Sequence, residues 1–127
     1  MTATPYRILI IDDEPDICEF MSYHLRSEGF RVDTAGSGTE GIRIAKDVNP
    51  HLVLLDIMMP GPDGFETCSQ IRRLPGLQDI DIVYLTARSM NDIAGPWYRV
   101  CGDDYIMKPI RPKDLIVRLR ALLELHS

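Results

Sequence analysis

Cysteine is scarce in this chain, and its spacing is poor for metal work. Cys18, Cys68 and Cys101 lie far apart, with no CxxC pair and no histidine beside any of them at zinc-ligand spacing. The three are expected to be free thiols, buried or half-buried, behaving as small core residues. Free thiols point in turn to a reducing compartment, the cytoplasm. Long apolar runs are also missing. The longest, Ile8–Ile11 and Leu52–Leu55, cover a few residues, far short of the roughly 18 needed to cross a bilayer. The first residues show no basic region followed by an apolar segment and a small-residue cleavage site, so a signal peptide is not expected. Positive charge is not in excess. The formal net charge is −5, which argues against nonspecific nucleic-acid binding by this chain. No repeat, low-complexity tract or linker interrupts the sequence.

What is present fits one folded domain. The chain has 127 residues, with 45% hydrophobic and 26% charged residues, a balance that excludes wholesale disorder. Short β-rich runs alternate with helical patterns. Arg7–Ile11 reads as a strand covered on both faces, because its apolar run is continuous. Pro15 opens a helix with Ile17, Phe20, Met21 and Leu25 on one face, ended at Gly29. Phe30–Ala35 is a second strand. Ser37 and Glu40 form the capping box of a helix running towards Asn49–Pro50. His51–Asp56 is the third strand, and Gly64–Arg73 the third helix, burying Phe65, Cys68 and Ile71. Asp81–Thr86 and Asp104–Met107 are the fourth and fifth strands. Pro112 starts the last helix, where Leu115, Ile116, Leu119, Leu122 and Leu123 keep helical spacing. Five βα units in succession imply a doubly wound α/β domain, a parallel sheet with helices on both faces. Ligands in such sheets bind beyond the carboxyl ends of the strands.

Those ends gather polar groups. Strand 1 leads into Asp12–Asp13 and Glu14, strand 3 ends in Asp56, strand 4 in Thr86, and Lys108 follows strand 5. Clustered carboxylates repel unless a cation compensates them. With no Cys or His in the group, the donors are all oxygen, which suits a hard ion such as Mg²⁺. A carboxylate beside Mg²⁺ and a lysine is placed to attack a phosphoryl group and form an aspartyl phosphate. The segment Gly36-Ser37-Gly38-Thr39-Glu40-Gly41 matches G-x-G-x-x-G, but it follows the second strand rather than the first. Capping chemistry already explains Ser37 and Glu40, so dinucleotide binding is not expected there.

The blocks ILIIDDEP, LVLLDIMMPGPDG, IVYLTARS and DDYIMKPI resemble the four signature blocks of response regulator receiver domains. The resemblance spans essentially the whole chain, residues 1–127 with a core of about 6–125, and implies a flavodoxin-like fold of strand order 2-1-3-4-5. It implies that Asp56 accepts the phosphoryl group. Asp12, Asp13, Asp56 and the backbone carbonyl of Met58 would hold Mg²⁺, for which Mn²⁺ or Ca²⁺ could substitute, and Asp13 would be a direct ligand. Lys108 would contact the phosphoryl oxygens, while Thr86 and Tyr105 would form the switch pair. The expected donor is a sensor histidine kinase or a histidine phosphotransfer protein, and the expected output is a surface of the fourth helical segment, the fifth strand and the last helix. The resemblance also implies a cis Lys108–Pro109 bond. The chain would be a phosphorylation-controlled signalling switch rather than a metabolic enzyme. A Mg²⁺-dependent phosphatase working through an aspartyl phosphate would carry a second Asp two residues after the nucleophile, and Met58 stands there instead.

Two departures stand out. Asn91–Gly102 reads NDIAGPWYRVCG, and Gly95 and Pro96 break a regular helix. A helix shortened to Pro96–Cys101 is expected, with Trp97 and Tyr98 near the signalling surface. Asp104 and Arg118 match positions that form cross-dimer ion pairs in the subfamily with winged-helix outputs. Ala94 replaces the basic residue that such a homodimer also uses.

Overall fold

The computed structural model describes residues 6–87 and 101–125. The expectations for Ala94, Trp97, Tyr98 and a helix beginning at Pro96 lie outside the described residues. Within them the order is β1 (Arg7–Ile11), α1 (Pro15–Ser27), β2 (Arg31–Ala35), α2 (Gly38–Val48), β3 (Leu52–Asp56), α3 (Gly64–Arg72), β4 (Asp81–Thr86), β5 (Asp104–Met107) and α4 (Pro112–Leu125). All five strands are parallel and are ordered β2-β1-β3-β4-β5. The expected strand order therefore holds, and the boundaries agree to within one residue.

The continuous apolar strands serve two cores at once. Successive residues of a strand face opposite sides of the sheet. Ile8, Ile10, Leu52, Leu54, Val83 and Leu85 join Met21 and Leu25 of α1 and Leu115, Leu119 and Leu123 of α4. Leu9, Ile11, Val53, Leu55, Ile82 and Tyr84 join Ala45 of α2 and Cys68 and Ile71 of α3. Every residue of β3 and β4 is buried. Helix starts follow local chemistry: Pro15 occupies the first turn of α1, the Ser37 hydroxyl accepts from Glu40 N–H, and the Asp63 carboxylate accepts from Glu66 N–H. Asn49 closes α2 in the left-handed region at φ 50°. Glu40 reaches back to Gly36 N–H at 2.7 Å, so the glycine-rich segment is occupied by its own capping.

Phe20 lines one cavity with Ile17 and Met21, on the expected face of α1, though it is 49% exposed. Two expectations need correction. Phe65 is only half-buried, at the rim of the second core. The cysteines are not all free: Cys68 and Cys101 form a disulfide, with their Cα atoms 6.4 Å apart. Only Cys18 is a free, buried thiol. The sequence separation of 33 residues concealed the pairing, because parallel topology brings the chain entering β5 back over α3. The bridge also removes the thiol-based argument for a reducing compartment. No helix among the described residues is long and apolar enough to cross a membrane.

Candidate functional site

The site sits where strand order reverses. β1 pairs with β2 on one side and β3 on the other, and Ile11 is level with Leu55. Asp12, just after β1, therefore comes beside Asp56 at the end of β3. One carboxylate oxygen from each of Asp12, Asp13 and Asp56 can lie within 4.8 Å of the others. Asp12 and Asp56 are buried, at 1% and 5% exposure, while Asp13 is exposed.

Lys108 reaches the same point from β5. Its backbone N–H donates to the Thr86 carbonyl at 2.7 Å, fixing the chain just beyond the strand. The Lys108–Pro109 bond is cis, as the sequence motif implied. Nζ lies 2.7 Å from Asp12 Oδ2, 3.4 Å from Glu14 Oε1 and 3.8 Å from Asp56 Oδ2. Glu14 thus shares the lysine, a contact its exposed position in the sequence motif did not reveal. Asp12 Oδ1 accepts from Glu14 N–H at 2.9 Å, and Asp56 Oδ1 accepts from Met58 N–H at 3.2 Å. The side chain of Met58 itself points to solvent, 61% exposed.

The electrostatics follow from burial and crowding. Burial, reinforced by the charge of Asp12, raises the Asp56 carboxyl to about 6, against the pull of Lys108 and the Met58 N–H. Burial works against the charged form of Lys108, yet its bonds to Asp12 and the nearby Asp56 carry its pKa above the usual value. One ammonium faces three carboxylates, and Asp13 adds a fourth to the cluster, so the corner retains excess negative charge. An all-oxygen set of this kind fits a hard divalent cation.

Gly64 is a requirement that the motif did not explain. A Cβ there would lie 2.6 Å from Ile57 Cα and 2.7 Å from the Asp56 carbonyl oxygen. Only glycine lets α3 begin this close to the backbone carrying Asp56, and Gly64 N–H donates to the Ile57 carbonyl at 3.0 Å.

Thr86 is buried at the end of β4, and Tyr105 is half-buried on β5 against the second core. Tyr84 is level with Tyr105 and Thr86 with Met107, so Thr86 and Tyr105 occupy neighbouring strands. Asp104 and Arg118 pair with each other inside one chain, Nη2 to Oδ2 at 2.6 Å, and Arg118 also donates to the Tyr105 carbonyl.

A doubly wound sheet with an acidic switch-point crevice and a lysine from the fifth strand defines a class of signalling domain. The response regulator receiver domain model matches residues 8–120, and the chain belongs to that family. It is 38% identical over 123 residues to the DNA-binding response regulator MtrA of Mycolicibacterium smegmatis, covering 97% of this chain and 53% of that protein. It is 38% identical over 121 residues to the transcriptional regulatory protein ResD of Bacillus subtilis, covering 95% of this chain and 49% of that protein. The chain thus spans about half the length of these regulators. Among solved structures, the N-terminal domain of a response regulator receiver protein from Methanoculleus marisnigri is 36% identical. It superposes with a TM-score of 0.77, covering 94% of this chain and 98% of that one. The chemotaxis protein CheY4 of Vibrio cholerae shares the fold with a TM-score of 0.87 at 24% identity, covering 93% and 98% of the two chains. DNA binding is named for MtrA, a protein about twice as long as this chain. The expectation that this chain does not bind nucleic acid finds no support in that comparison.

Proposed function

We propose that Asp56 is the phosphoacceptor of this receiver domain, and that residues 1–127, with a core of about 6–125, act as one unit. The observation that carries the reading is the convergence of Asp12, Asp13, Asp56 and Lys108 at the switch point. A carboxylate oxygen of Asp56 attacks phosphorus, the phosphorus–nitrogen bond of a phosphohistidine breaks, and the histidine nitrogen leaves with the bonding pair. The donor is a sensor histidine kinase or a histidine phosphotransfer protein, and the compartment is the cytoplasm.

Asp12, Asp13, Asp56 and the carbonyl of Met58 are the groups that hold Mg²⁺, or Mn²⁺ or Ca²⁺ in its place. Such an ion supplies positive charge that offsets the carboxylates and polarises a phosphoryl oxygen. Lys108 exchanges part of its contact with Asp12 for the phosphoryl oxygens. Thr86, at the end of the neighbouring strand, turns its hydroxyl to the new oxygens, and Tyr105 follows. The surface of β5, α4 and the segment preceding β5 then changes shape for an output partner. A homodimer through that surface requires Asp104 and Arg118 to give up their pairing within the chain.

Incubation with a small phosphodonor and Mg²⁺ should add one phosphoryl group per chain, and Asp56→Asn should abolish the addition. Labelling of Asp56→Asn to the same extent would assign the acceptor elsewhere.

A further inference from the structure

We propose that Cys68 and Cys101 form a reversible redox site, open to thiol–disulfide exchange with small-molecule disulfides and thiols, that sets how firmly the start of β5 is fastened to α3. This inference does not depend on the identity of the phosphoacceptor.

The bridge lies at the edge of the sheet opposite the acidic corner. Cys68 is fully buried on the inner side of α3, whereas Cys101 is half-buried beside the second core. From the same helix, Arg72 donates through Nε and Nη2 to the Cys101 carbonyl, at 3.0 and 2.7 Å. It also donates to the Gln78 and Ile80 carbonyls and pairs with Asp103 at 2.9 Å. Asp103 in turn starts the β4–β5 ladder. Its N–H donates to the Ile82 carbonyl, and its carboxylate accepts from Ile82 N–H, both at 2.7 Å. Gly102 completes the contact, because a Cβ there would come 2.5 Å from the Tyr84 ring. Covalent and polar ties from α3 thus converge on residues 101–103. The polar ties persist when the covalent one opens, so the corner has two discrete states of attachment.

Burial assigns the order of sulfur chemistry. In closure, the Cys101 thiolate attacks one sulfur of a small-molecule disulfide, forming a mixed disulfide and releasing one thiolate. The buried Cys68 thiolate then attacks the Cys101 sulfur, forming the bridge and releasing the second thiolate. The two protein thiols are oxidised, the reagent is reduced to two thiols, and the protons lost by the cysteines end on those products. Opening is the reverse, with a small thiol attacking at Cys101. Cys18 takes no part, since its thiol is buried under α1 and donates to the Asp12 carbonyl at 3.3 Å.

The test equilibrates the intact protein in glutathione buffers of graded ratio, traps thiols by alkylation and maps them by mass spectrometry. The expected result is a Cys68–Cys101 cross-link that forms and opens reversibly across the series. Opening should lower Tm by about 10 °C, from the loop it releases. It should also speed amide exchange at Asp103 at least about tenfold. In Cys68→Ser, which lacks the second thiol, a glutathione adduct should accumulate on Cys101. Absence of the cross-link in oxidised glutathione would overturn the proposal. So would a bridge that survives a large excess of reduced glutathione in the folded protein, or an adduct that accumulates on Cys18 instead.

Discussion

At the carboxyl ends of β1 and β3, the fold holds together groups that repel. At the opposite edge, where β5 begins, it holds together groups that attract. Asp12 and Asp56 are buried beside one another with Lys108 between them and Asp13 at the rim. Burial of that kind lowers stability unless a cation joins it. Around Arg72, by contrast, a guanidinium satisfies three backbone carbonyls and one carboxylate while the bridge joins the same two segments. The acidic corner is therefore poised for a ligand, and the Arg72 corner anchors the sheet. Removing charge should raise stability in the first and lower it in the second.

The largest effect is expected at Arg72. Arg72→Ala leaves the carbonyls of Cys101, Gln78 and Ile80 and the Asp103 carboxylate without their donor. The loss should be about 2–3 kcal/mol in denaturant unfolding, since removing the donor of a half-buried polar network leaves several acceptors without their partner. A loss below about 1 kcal/mol would show that solvent replaces the guanidinium freely and that the corner is no anchor.

The opposite sign is expected at Asp56. Asn keeps an oxygen that can accept from Met58 N–H and removes a charge that burial and Asp12 both disfavour. Asp56→Asn should therefore stabilise the metal-free protein by about 1–2 kcal/mol. A destabilised variant would mean that the Lys108 contact outweighs the repulsion.

The two corners also differ in how far they could be read from the sequence. Asp12, Asp13 and Asp56 each sit at the end of an apolar run, and the strand-end rule together with the family blocks brought them to one place. The same holds for Lys108, which follows the fifth strand within a family block. The Arg72 corner has no such signature. Arg72 looks like an ordinary basic residue at a helix C-terminus, and Cys68 and Cys101 like isolated core thiols. Their convergence depends on how α3 lies against the chain entering β5, which no local pattern encodes. Gly64 falls between these cases. It appears inside a family block, but its reason, the approach of α3 to the Asp56 carbonyl, is set by tertiary packing. Gly64→Ala should cost about 2 kcal/mol in denaturant unfolding, because the added methyl meets backbone that cannot yield. A neutral result would show that α3 can shift outward, and Asp56 would then be less tightly framed than its burial implies.

The smallest change in stability, and the most direct probe of the acidic corner, is expected from Asp13→Ala. Asp13 is exposed, so its repulsion of Asp12 and Asp56 is screened, and removing it should stabilise the metal-free protein by about 0.5 kcal/mol. Its effect on Mg²⁺ should be much larger. Mg²⁺ demands a nearly complete octahedral oxygen shell and accepts few protein ligands, so losing one carboxylate should weaken binding at least about tenfold. In wild type, saturating Mg²⁺ should raise Tm, because the ion binds the folded state alone. In Asp13→Ala that gain should shrink while the metal-free Tm stays level or rises slightly. The opposed signs separate a ligand from a structural residue, since a residue that merely supported the fold would lower the metal-free Tm. If Mg²⁺ shifts both proteins equally, Asp13 is not part of the cation site, and Asp12, Asp56 and the Met58 carbonyl must hold the ion without it.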